Sequence, residues 1–210
     1  MKPYLETITA VQQQVIGQLG TYLQQRGMYL AGGTAVALHL GHRQSVDLDW
    51  FCPSVIDDPM RLADEIRTAG VPFVTVATEE GTLHGTVHGV RVSLLHYRYP
   101  LLQSAEEFFG LDCQLASLLD LAAMKLVAVA QRGSKKDFVD IYALGQKQLP
   151  LATMLEAYQR RYSVADVSRV LYSLTYFKDA DAESMPVMLW DIDWDGVKCA
   201  VREWVVEAAP

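Results

Sequence analysis

The sequence has few cysteines, no excess of basic residues and no long apolar run. Its 3 cysteines, Cys52, Cys113 and Cys199, lie far apart in a chain of 210 residues. This number and spacing exclude a disulfide framework and a zinc-binding spacing, and they suit a reducing compartment. Lys and Arg number 18 against 25 Asp and Glu, whereas a protein that binds nucleic acid over its whole surface is usually basic. A local basic patch is still compatible with this composition.

No segment is typical of targeting or of a membrane span. The N-terminal MKPYLETITA lacks the apolar core of a signal peptide. The longest apolar stretch, residues 121–130, contains Lys125 and is too short to cross a bilayer. Half of the residues are hydrophobic, which is enough to build a substantial core. We therefore expect a soluble, globular protein of the cytoplasm that does not associate with membranes.

Hydrophobic periodicity and turn residues predict a small mixed α/β domain over residues 1–100. Helices and strands are expected in the order α-β-α-β-α-β-β-β, with glycine, proline or aspartate near most boundaries. The expected helices cover residues 4–25, 34–40 and 59–69, and the expected strands cover 28–31, 46–52, 73–77, 82–87 and 90–97.

Residues 101–210 are predicted to form a helical domain. Two segments, Ser117-x-x-Asp120 and Ser134-x-x-Asp137, have the pattern of capping boxes that open helices. The expected helices cover residues 117–132, 134–146, 151–178 and 195–206.

Two carboxylates interrupt the apolar segment at residues 46–51. Side chains at positions i and i+2 of a strand share a face, so Asp47 and Asp49 should project side by side. Adjacent carboxylates on an apolar strand are costly to bury unless a cation lies between them. Magnesium is usually bound by one or two carboxylates together with substrate phosphates. The pair therefore predicts a site for Mg²⁺ (or Mn²⁺), although an isolated D-x-D is more often a solvated strand face.

A glycine turn precedes the carboxylate pair by about a dozen residues. Gly32 and Gly33 allow a ligand to approach the backbone, and Thr34 opens a helix whose unpaired N–H groups favour an anion. A phosphate at this turn and a metal at Asp47 and Asp49 together describe a bound nucleoside triphosphate. A lone G-G-T is a simple turn in most proteins, but the combination with D-x-D on a second strand is more specific.

Three stretches of the chain carry a family resemblance. AGGTAVALHLGHRQSVDLDWF (31–51), DLAAMKLVAVAQRGSKKDFVDIYAL (120–144) and, more weakly, LTYFKDADAESMPVML (174–189) resemble the AbiEii/AbiGii-type toxin nucleotidyltransferases. These proteins act in bacterial abortive-infection and toxin–antitoxin systems and belong to the polymerase-beta-like nucleotidyltransferase superfamily. The resemblance implies the polymerase-beta-like α/β fold followed by a helical domain. It also implies transfer of a nucleotidyl group from an NTP to a hydroxyl, with loss of pyrophosphate.

The resemblance also suggests roles for single residues. Asp47 and Asp49 would bind the catalytic metal. Ser45, in the loop before the metal strand, would reach a phosphate or simply cap its loop. The expected nucleotide-binding residues are Gly32, Gly33, Thr34, Arg43, Ser45 and Lys136.

In the helical half, Lys125 and Asp140 join Asp47 and Asp49 as predicted catalytic residues. Lys125 interrupts an apolar helix, which is costly unless its ammonium meets an anion such as a phosphate; the alternative is that it extends to solvent. Asp140 would orient Lys125 or act as a base toward the incoming hydroxyl. Asp137 ranks below Asp140 because a capping box already explains it.

A local basic cluster is formed by Arg132, Lys135 and Lys136. It would contact a polynucleotide or the triphosphate, although a solvated helix start explains it equally well. We expect an NTP substrate, and the acceptor is left open between an RNA 3′ end (for example of a tRNA-like molecule), a protein side chain and a small molecule. A cognate antitoxin protein is a further expected partner.

One position departs from the superfamily pattern. Polymerase-beta-like enzymes generally carry a third carboxylate on a neighbouring strand, and the candidate strand VRVSLLHY (90–97) has Ser93 in that place. The departure weakens a two-metal mechanism. It leaves three alternatives open: Asp140 or another group substitutes for the carboxylate, one metal ion suffices, or the chain is a non-catalytic module of the same fold that binds a nucleotide or a partner.

Overall fold

The computed structural model describes residues 2–147 and 149–208. A short 3-10 helix at Leu5–Thr7 precedes the first α-helix. The α-helices are α1 (Ala10–Gln24), α2 (Gly32–Leu40), α3 (Pro59–Thr68), α4 (Leu118–Gln131), α5 (Lys135–Gln146), α6 (Leu151–Tyr162), α7 (Ser168–Thr175), α8 (Lys178–Asp181) and α9 (Trp194–Ala208).

One mixed sheet runs through the described part of the chain in the order β3-β4-β5-β2-β1-β7-β6. Its strands are β1 (Tyr29–Ala31), β2 (Leu48–Cys52), β3 (Phe73–Glu79), β4 (Thr82–Val87), β5 (Val90–His96), β6 (Glu106–Glu107) and β7 (Gln114–Leu115). Strand β2 lies at the centre, antiparallel to β1 and parallel to β5. The predicted mixed α/β fold is confirmed.

The central strand β2 separates the core from an open face of the sheet. Leu48, Trp50 and Cys52 are buried, whereas the alternating Asp49 and Phe51 are only partly covered. This is the two-residue period of a strand with one face toward the core. The apolar residues therefore anchor β2, and its other face carries Asp49.

The predicted division at residue 100 is crossed by the sheet. Strand β7 pairs in parallel with β1, with Leu115 opposite Leu30, and β6 pairs with β7. Buried side chains of both halves, such as Trp50 and Phe138, also belong to one hydrophobic core. The segment at 104–116 contributes these short strands because their ladder covers the edge of β1, whose backbone would otherwise be unpaired.

In the helical half, the start of α4 agrees with the sequence prediction, but one expected helix is broken. Ser117 caps α4 by accepting a hydrogen bond from the backbone N–H of Asp120 at 3.1 Å. The expected helix at 151–178 is instead broken into α6, α7 and α8, because Ser163 adopts a left-handed conformation with φ 53° and ends α6. No helix within residues 2–147 and 149–208 is long and apolar enough to cross a membrane.

Candidate active site

A cleft of about 630 Å³ lies where the open face of the sheet meets the start of α2, helix α4 and the start of α5. Most of the residues that the sequence predicts for a nucleotide site line this cleft. They are Gly32, Gly33, Thr34, Arg43, Ser45, Asp47, Asp49, Lys125 and Lys136. Asp140 lies beneath the lining and is fully buried.

The two carboxylates of the D-x-D motif both line the cleft, but only Asp49 belongs to a strand. Asp47 precedes β2 because its carbonyl accepts a hydrogen bond from the Thr34 hydroxyl instead of joining the ladder. The Asp47 carboxylate, 28% exposed, accepts a hydrogen bond from Arg91 Nε at 2.6 Å. Burial raises the pKa of Asp49, and the negative charge of Asp47 raises it further, while a hydrogen bond from Ser93 acts in the opposite direction. Asp49 is thus a crowded carboxylate that a cation would stabilise.

The glycine turn is shaped by close contacts with the Asp49 carboxylate and the Arg43 guanidinium. Gly32 has φ 65°, and a Cβ at this position would lie 2.9 Å from Asp49 Oδ2. A Cβ on Gly33 would collide with the Arg43 guanidinium. A side chain at either position would displace a charged group, which explains why both positions are glycine. The turn leaves the first N–H groups of α2 at the cleft, where an anion is favoured.

Ser45 and Thr34 connect this turn to Asp47. Their hydroxyl oxygens are 2.7 Å apart, and the Thr34 hydroxyl donates to the Asp47 carbonyl, so Ser45 donates to Thr34. Both side chains are buried yet border the cleft. The contact favours a role for Ser45 in holding the turn, and its contact with a phosphate stays a prediction.

Asp140 is surrounded by cations of its own chain. Its carboxylate accepts hydrogen bonds from Arg43 Nε at 2.7 Å, Arg43 Nη2 at 2.9 Å and the His42 ring at 2.8 Å. Lys125 Nζ lies 2.5 Å from Oδ2. Burial would raise the pKa of Asp140, but Arg43 and Lys125 hold it well below its usual range.

These contacts correct the expectation that Asp140 acts as a base. A fully buried carboxylate with a depressed pKa, whose two oxygens already accept hydrogen bonds from cations, is a poor proton acceptor. The contacts match the alternative that the sequence left open, in which Asp140 orients Lys125, and Asp140 holds Arg43 as well. Three of the five Arg43 N–H groups are used by Asp140 and the Gln44 carbonyl. The predicted contact of Arg43 with a nucleotide therefore depends on the two that are left.

Asp137 belongs to the same buried ionic cluster and does not cap a helix. Its oxygens accept from Lys125 Nζ at 3.1 Å, Arg132 Nε at 2.7 Å and the Ser134 hydroxyl at 2.7 Å. Burial raises its pKa, but Lys125 and Arg132 outweigh burial and lower the value to about 2. The Ser134 side chain accepts no hydrogen bond from the backbone of α5. Its hydroxyl is used to hold Asp137, so the predicted second capping box is wrong.

Two residues of the basic cluster, Arg132 and Lys136, line the cleft, and the third, Lys135, does not. Lys125, Arg132 and Lys136 line the cleft. Lys135 turns away, since its backbone N–H donates to Glu183 Oε2 at 2.8 Å and its ammonium contacts the Glu183 carbonyl. One side of the cleft therefore carries three cations and faces the start of α2.

Comparison with known proteins identifies the family and the fold. Residues 97–198 match a family model described as "Nucleotidyl transferase AbiEii toxin, Type IV TA system". The chain belongs to the AbiEii nucleotidyltransferase toxin family. It is also 38% identical over 158 residues to aq_aa25, an uncharacterized protein of Aquifex aeolicus, a match that spans 74% of this chain and 76% of that protein.

Solved structures share the fold of this AbiEii family member. A putative nucleotidyltransferase from Helicobacter pylori matches with a TM-score of 0.57 and 16% identity over 95% of this chain and 94% of its own. MenT4, the nucleotidyltransferase toxin Rv2826c from Mycobacterium tuberculosis H37Rv, matches with a TM-score of 0.56 and 16% identity over 96% and 93%. The family and fold inferred from the sequence motifs are thereby confirmed.

The cleft is also lined by residues to which the sequence assigned no role. His84 lies on the open face of β4, and Pro186 and Val187 come from the segment before α9. Arg91, on β5, contacts Asp47. The apolar part of the cleft is lined by Phe51, Leu95, Tyr97, Leu121, Met124, Val127 and Ala128. Strand alternation can predict which side chains share a face, but only the register of β4, β5 and β2 shows that they meet Asp49.

Ser93 lies beside Asp49, as the superfamily pattern suggests for a third ligand. The two residues are paired in the parallel register of β2 and β5. Within residues 2–147 and 149–208 no group of three or more His, Cys, Asp or Glu side chains is arranged to hold a metal ion.

Proposed function

We propose that the protein transfers a nucleotidyl group from an NTP to a hydroxyl acceptor, and that this activity makes it a toxin. Membership of the AbiEii family supports nucleotidyl transfer and a toxin role. The observation that carries the proposal is the composition of the cleft: the carboxylates of Asp47 and Asp49, the N-terminus of α2 and three cations line one cavity. A polyanion that also brings a metal ion is complementary in charge to the helix N-terminus, to the cationic side of the cleft and to the two carboxylates.

The triphosphate is proposed to lie between the glycine turn and the cationic side of the cleft. Helix α2 begins at Gly32 and Gly33, and the positive end of its dipole, with free backbone N–H groups, lies at this region. Lys125, Arg132 and Lys136 supply positive charge from α4 and α5. The apolar part of the cleft then suits the nucleoside or the acceptor.

The fit of a metal ion rests on the chemistry of the two carboxylates. Asp49 is destabilised as an anion by burial and by Asp47, and a divalent cation would relieve both effects. Asp47 and Asp49 would hold Mg²⁺ or Mn²⁺ together with substrate phosphates, while Ser93 does not provide a third carboxylate. When bound, such an ion neutralises phosphate charge and polarises the phosphoryl group.

The protein's own residues are proposed to position the reacting groups. Asp140 and Asp137 fix the Lys125 ammonium by contacts of 2.5 and 3.1 Å, so its charge is held at the cleft without rearrangement. A fixed cation stabilises charge on the departing pyrophosphate better than a mobile one. Arg43 holds the loop before Ser45 through Asp140, which keeps the turn and the D-x-D motif in register.

A transfer assay tests the proposal. The protein is incubated with each labelled NTP, magnesium and total RNA, and products are resolved for label in RNA, in protein and in small molecules. We expect a labelled product with wild type and none with Asp47→Ala, while Asp64→Ala, an exposed carboxylate on α3, keeps the activity. Label in the RNA fraction identifies an RNA acceptor, for which a tRNA-like 3′ end is our first candidate.

The second candidate function is a non-catalytic nucleotide- or partner-binding module. The observation that favours it is Ser93 at the place of the third carboxylate. Tight NTP binding without any labelled product would establish this alternative. A growth assay adds to the distinction: expression of wild type in the bacterial cytoplasm should arrest growth, Asp47→Ala should not, and co-expression of a cognate antitoxin should restore growth.

A further inference from the structure

A row of three polar side chains crosses the open face of the sheet. Ser93 on β5 is paired with Asp49 on β2 and with His84 on β4. His84 Nδ1 lies 3.2 Å from Ser93 Oγ, and the nearby Ser93 hydroxyl partly offsets the rise in the pKa of Asp49. All three side chains line the cleft. The row therefore links a ring nitrogen to the carboxylate pair through one hydroxyl.

The charge of Asp49 favours one tautomer of His84. A carboxylate only accepts hydrogen bonds, so the negative charge of Asp49 attracts the single proton of the neighbouring Ser93 hydroxyl. Ser93 Oγ then accepts from His84, with the ring proton on Nδ1. The other nitrogen, Nε2, is left with its lone pair, and within the part of the chain that the structure describes it has no hydrogen-bond partner.

We propose that His84 is the general base that takes the proton of the acceptor hydroxyl, with Ser93 as its positioning residue. This inference rests on the proposed nucleotidyl transfer. The third carboxylate expected at position 93 is absent, and the chain instead presents a hydroxyl that aligns an imidazole from the next strand. Histidine is suited to this role because its neutral ring accepts a proton near physiological pH.

The acceptor oxygen forms a bond to the α-phosphorus of the NTP, and the bond from that phosphorus to the bridging oxygen of pyrophosphate breaks, with the electron pair leaving on pyrophosphate. The hydroxyl proton moves to His84 Nε2, which gives an imidazolium with protons on both nitrogens. Solvent then removes one proton and restores the neutral ring.

The other titratable groups near the cleft are worse proton acceptors. Asp140 and Asp137 are held as anions by Lys125, Arg43 and Arg132, which lower their pKa values. The Tyr97 hydroxyl is bonded to Tyr162 at 2.6 Å, and burial raises its pKa. Asp47 and Asp49 are the proposed metal ligands. His84 combines access to the cleft with an available lone pair.

The test separates proton transfer from nucleotide binding. His84→Gln keeps a polar side chain of similar reach that cannot take the proton, and His84→Ala leaves room for added imidazole. His88→Gln is the matched control, since His88 lies exposed on the β4–β5 turn and bonds Gln18 outside the cleft. Affinity for a non-hydrolysable NTP analogue with magnesium is measured by calorimetry, and single-turnover rates are measured with labelled NTP and the identified acceptor.

We expect His84→Gln to lower the single-turnover rate by roughly 100-fold, the size of a general-base contribution, with analogue affinity unchanged. Imidazole should restore part of the rate in His84→Ala and none in Asp47→Ala, and Ser93→Ala should lower the rate less than His84→Gln. A rate for His84→Gln equal to that of His88→Gln overturns the inference while the proposed function stands. Loss of analogue affinity in His84→Gln, or no rescue by imidazole, also overturns it. A wild-type protein that forms no product overturns the proposed function, and the inference with it.

Discussion

Two groups of carboxylates lie near the same cleft, and their surroundings shift their pKa values in opposite directions. Asp137 and Asp140, on α5, are buried against Lys125, Arg43 and other donors, and their pKa values are lowered. Asp49, beside the D-x-D partner Asp47, is largely covered without comparable compensation, and its pKa is raised. The first group is neutralised by cations of the chain, whereas in the second Asp47 contacts the exposed Arg91 and Asp49 forms no ion pair with any residue that the structure describes.

This difference shows which carboxylates can receive a ligand. A carboxylate paired with fixed cations holds those cations in place, and its removal leaves them buried without a partner. A crowded carboxylate that borders a cavity gains more from an external ion. Sequence patterns alone do not separate the two, because D-x-D and the aspartates of α5 all look like acidic residues among apolar ones.

The strongest disruption of the first group is Asp140→Ala. Removal of this carboxylate leaves Arg43 and Lys125 buried without their partner, and breaking a buried pair from one side costs about 3–5 kcal/mol. Urea unfolding followed by circular dichroism should show a loss of this size in the free energy of unfolding. Removal of Glu65, which pairs with Arg26 and Arg61 at the surface, should have little effect in the same assay. Similar losses for both variants would mean that the buried cluster contributes no more to the free energy of unfolding than a surface ion pair.

Asp49→Asn tests the second group and should behave in the opposite way. The amide keeps the shape but removes a charge that burial and Asp47 disfavour, so the free energy of unfolding at pH 7 should be unchanged or higher. Transferase activity should nevertheless fall on the order of 100-fold or more, because a metal site supplies several kcal/mol of charge stabilisation. Asp64→Asn, a surface control, should keep both properties. A variant that loses stability together with activity would place Asp49 with the structural carboxylates.

Much of the fold could be predicted because local signals and burial agree. Glycine ends α2 at Gly41, which has φ 71°, and the apolar alternation of β2 matches its buried face. The short strands β6 and β7 could not be predicted, since two-residue strands have no periodicity and exist only through pairing with β1. The break at Ser163 is also hidden, because serine rarely adopts a left-handed conformation.

The site was predicted where a motif is continuous and missed where it depends on register. Gly32 and Asp49 come from one stretch of chain, and both line the cleft. His84 and Arg91 lie on different strands, and only the pairing of β4 with β5 brings them to the same face. The role of Asp140 could not be inferred either, because its partner Arg43 is almost a hundred positions away in sequence.

Acid should destabilise the buried cluster of Asp137 and Asp140 by protonating Asp137. Its pKa falls from an ordinary 3.8 in the unfolded chain to about 2 in the folded protein, so the folded state binds fewer protons between these values. The stabilisation is therefore present above about pH 4 and is lost as pH falls toward 2, by about 2 kcal/mol. The free energy of unfolding of wild type and Asp137→Asn, measured from pH 6 to 2.5, should converge as the pH falls. A gap that stays constant would show that Asp137 carries no charge-dependent stability.

Arg91→Gln should give the smallest effect, and it tests whether Asp47 is available to a metal ion. Arg91 is 70% exposed and its Nε lies 2.6 Å from Asp47 Oδ1, so loss of this surface pair should change the free energy of unfolding by less than about 1 kcal/mol. A metal ion at Asp47 competes with the guanidinium for the same oxygen. Without Arg91, the magnesium concentration that half-saturates nucleotide binding should fall roughly two- to fivefold, as expected when a competing interaction of up to about 1 kcal/mol is removed. Calorimetric titration of magnesium at a fixed nucleotide concentration measures this value, with Arg67→Gln on α3 as the exposed control. A rise in the magnesium requirement would instead show that Arg91 contacts the nucleotide and contributes to its binding.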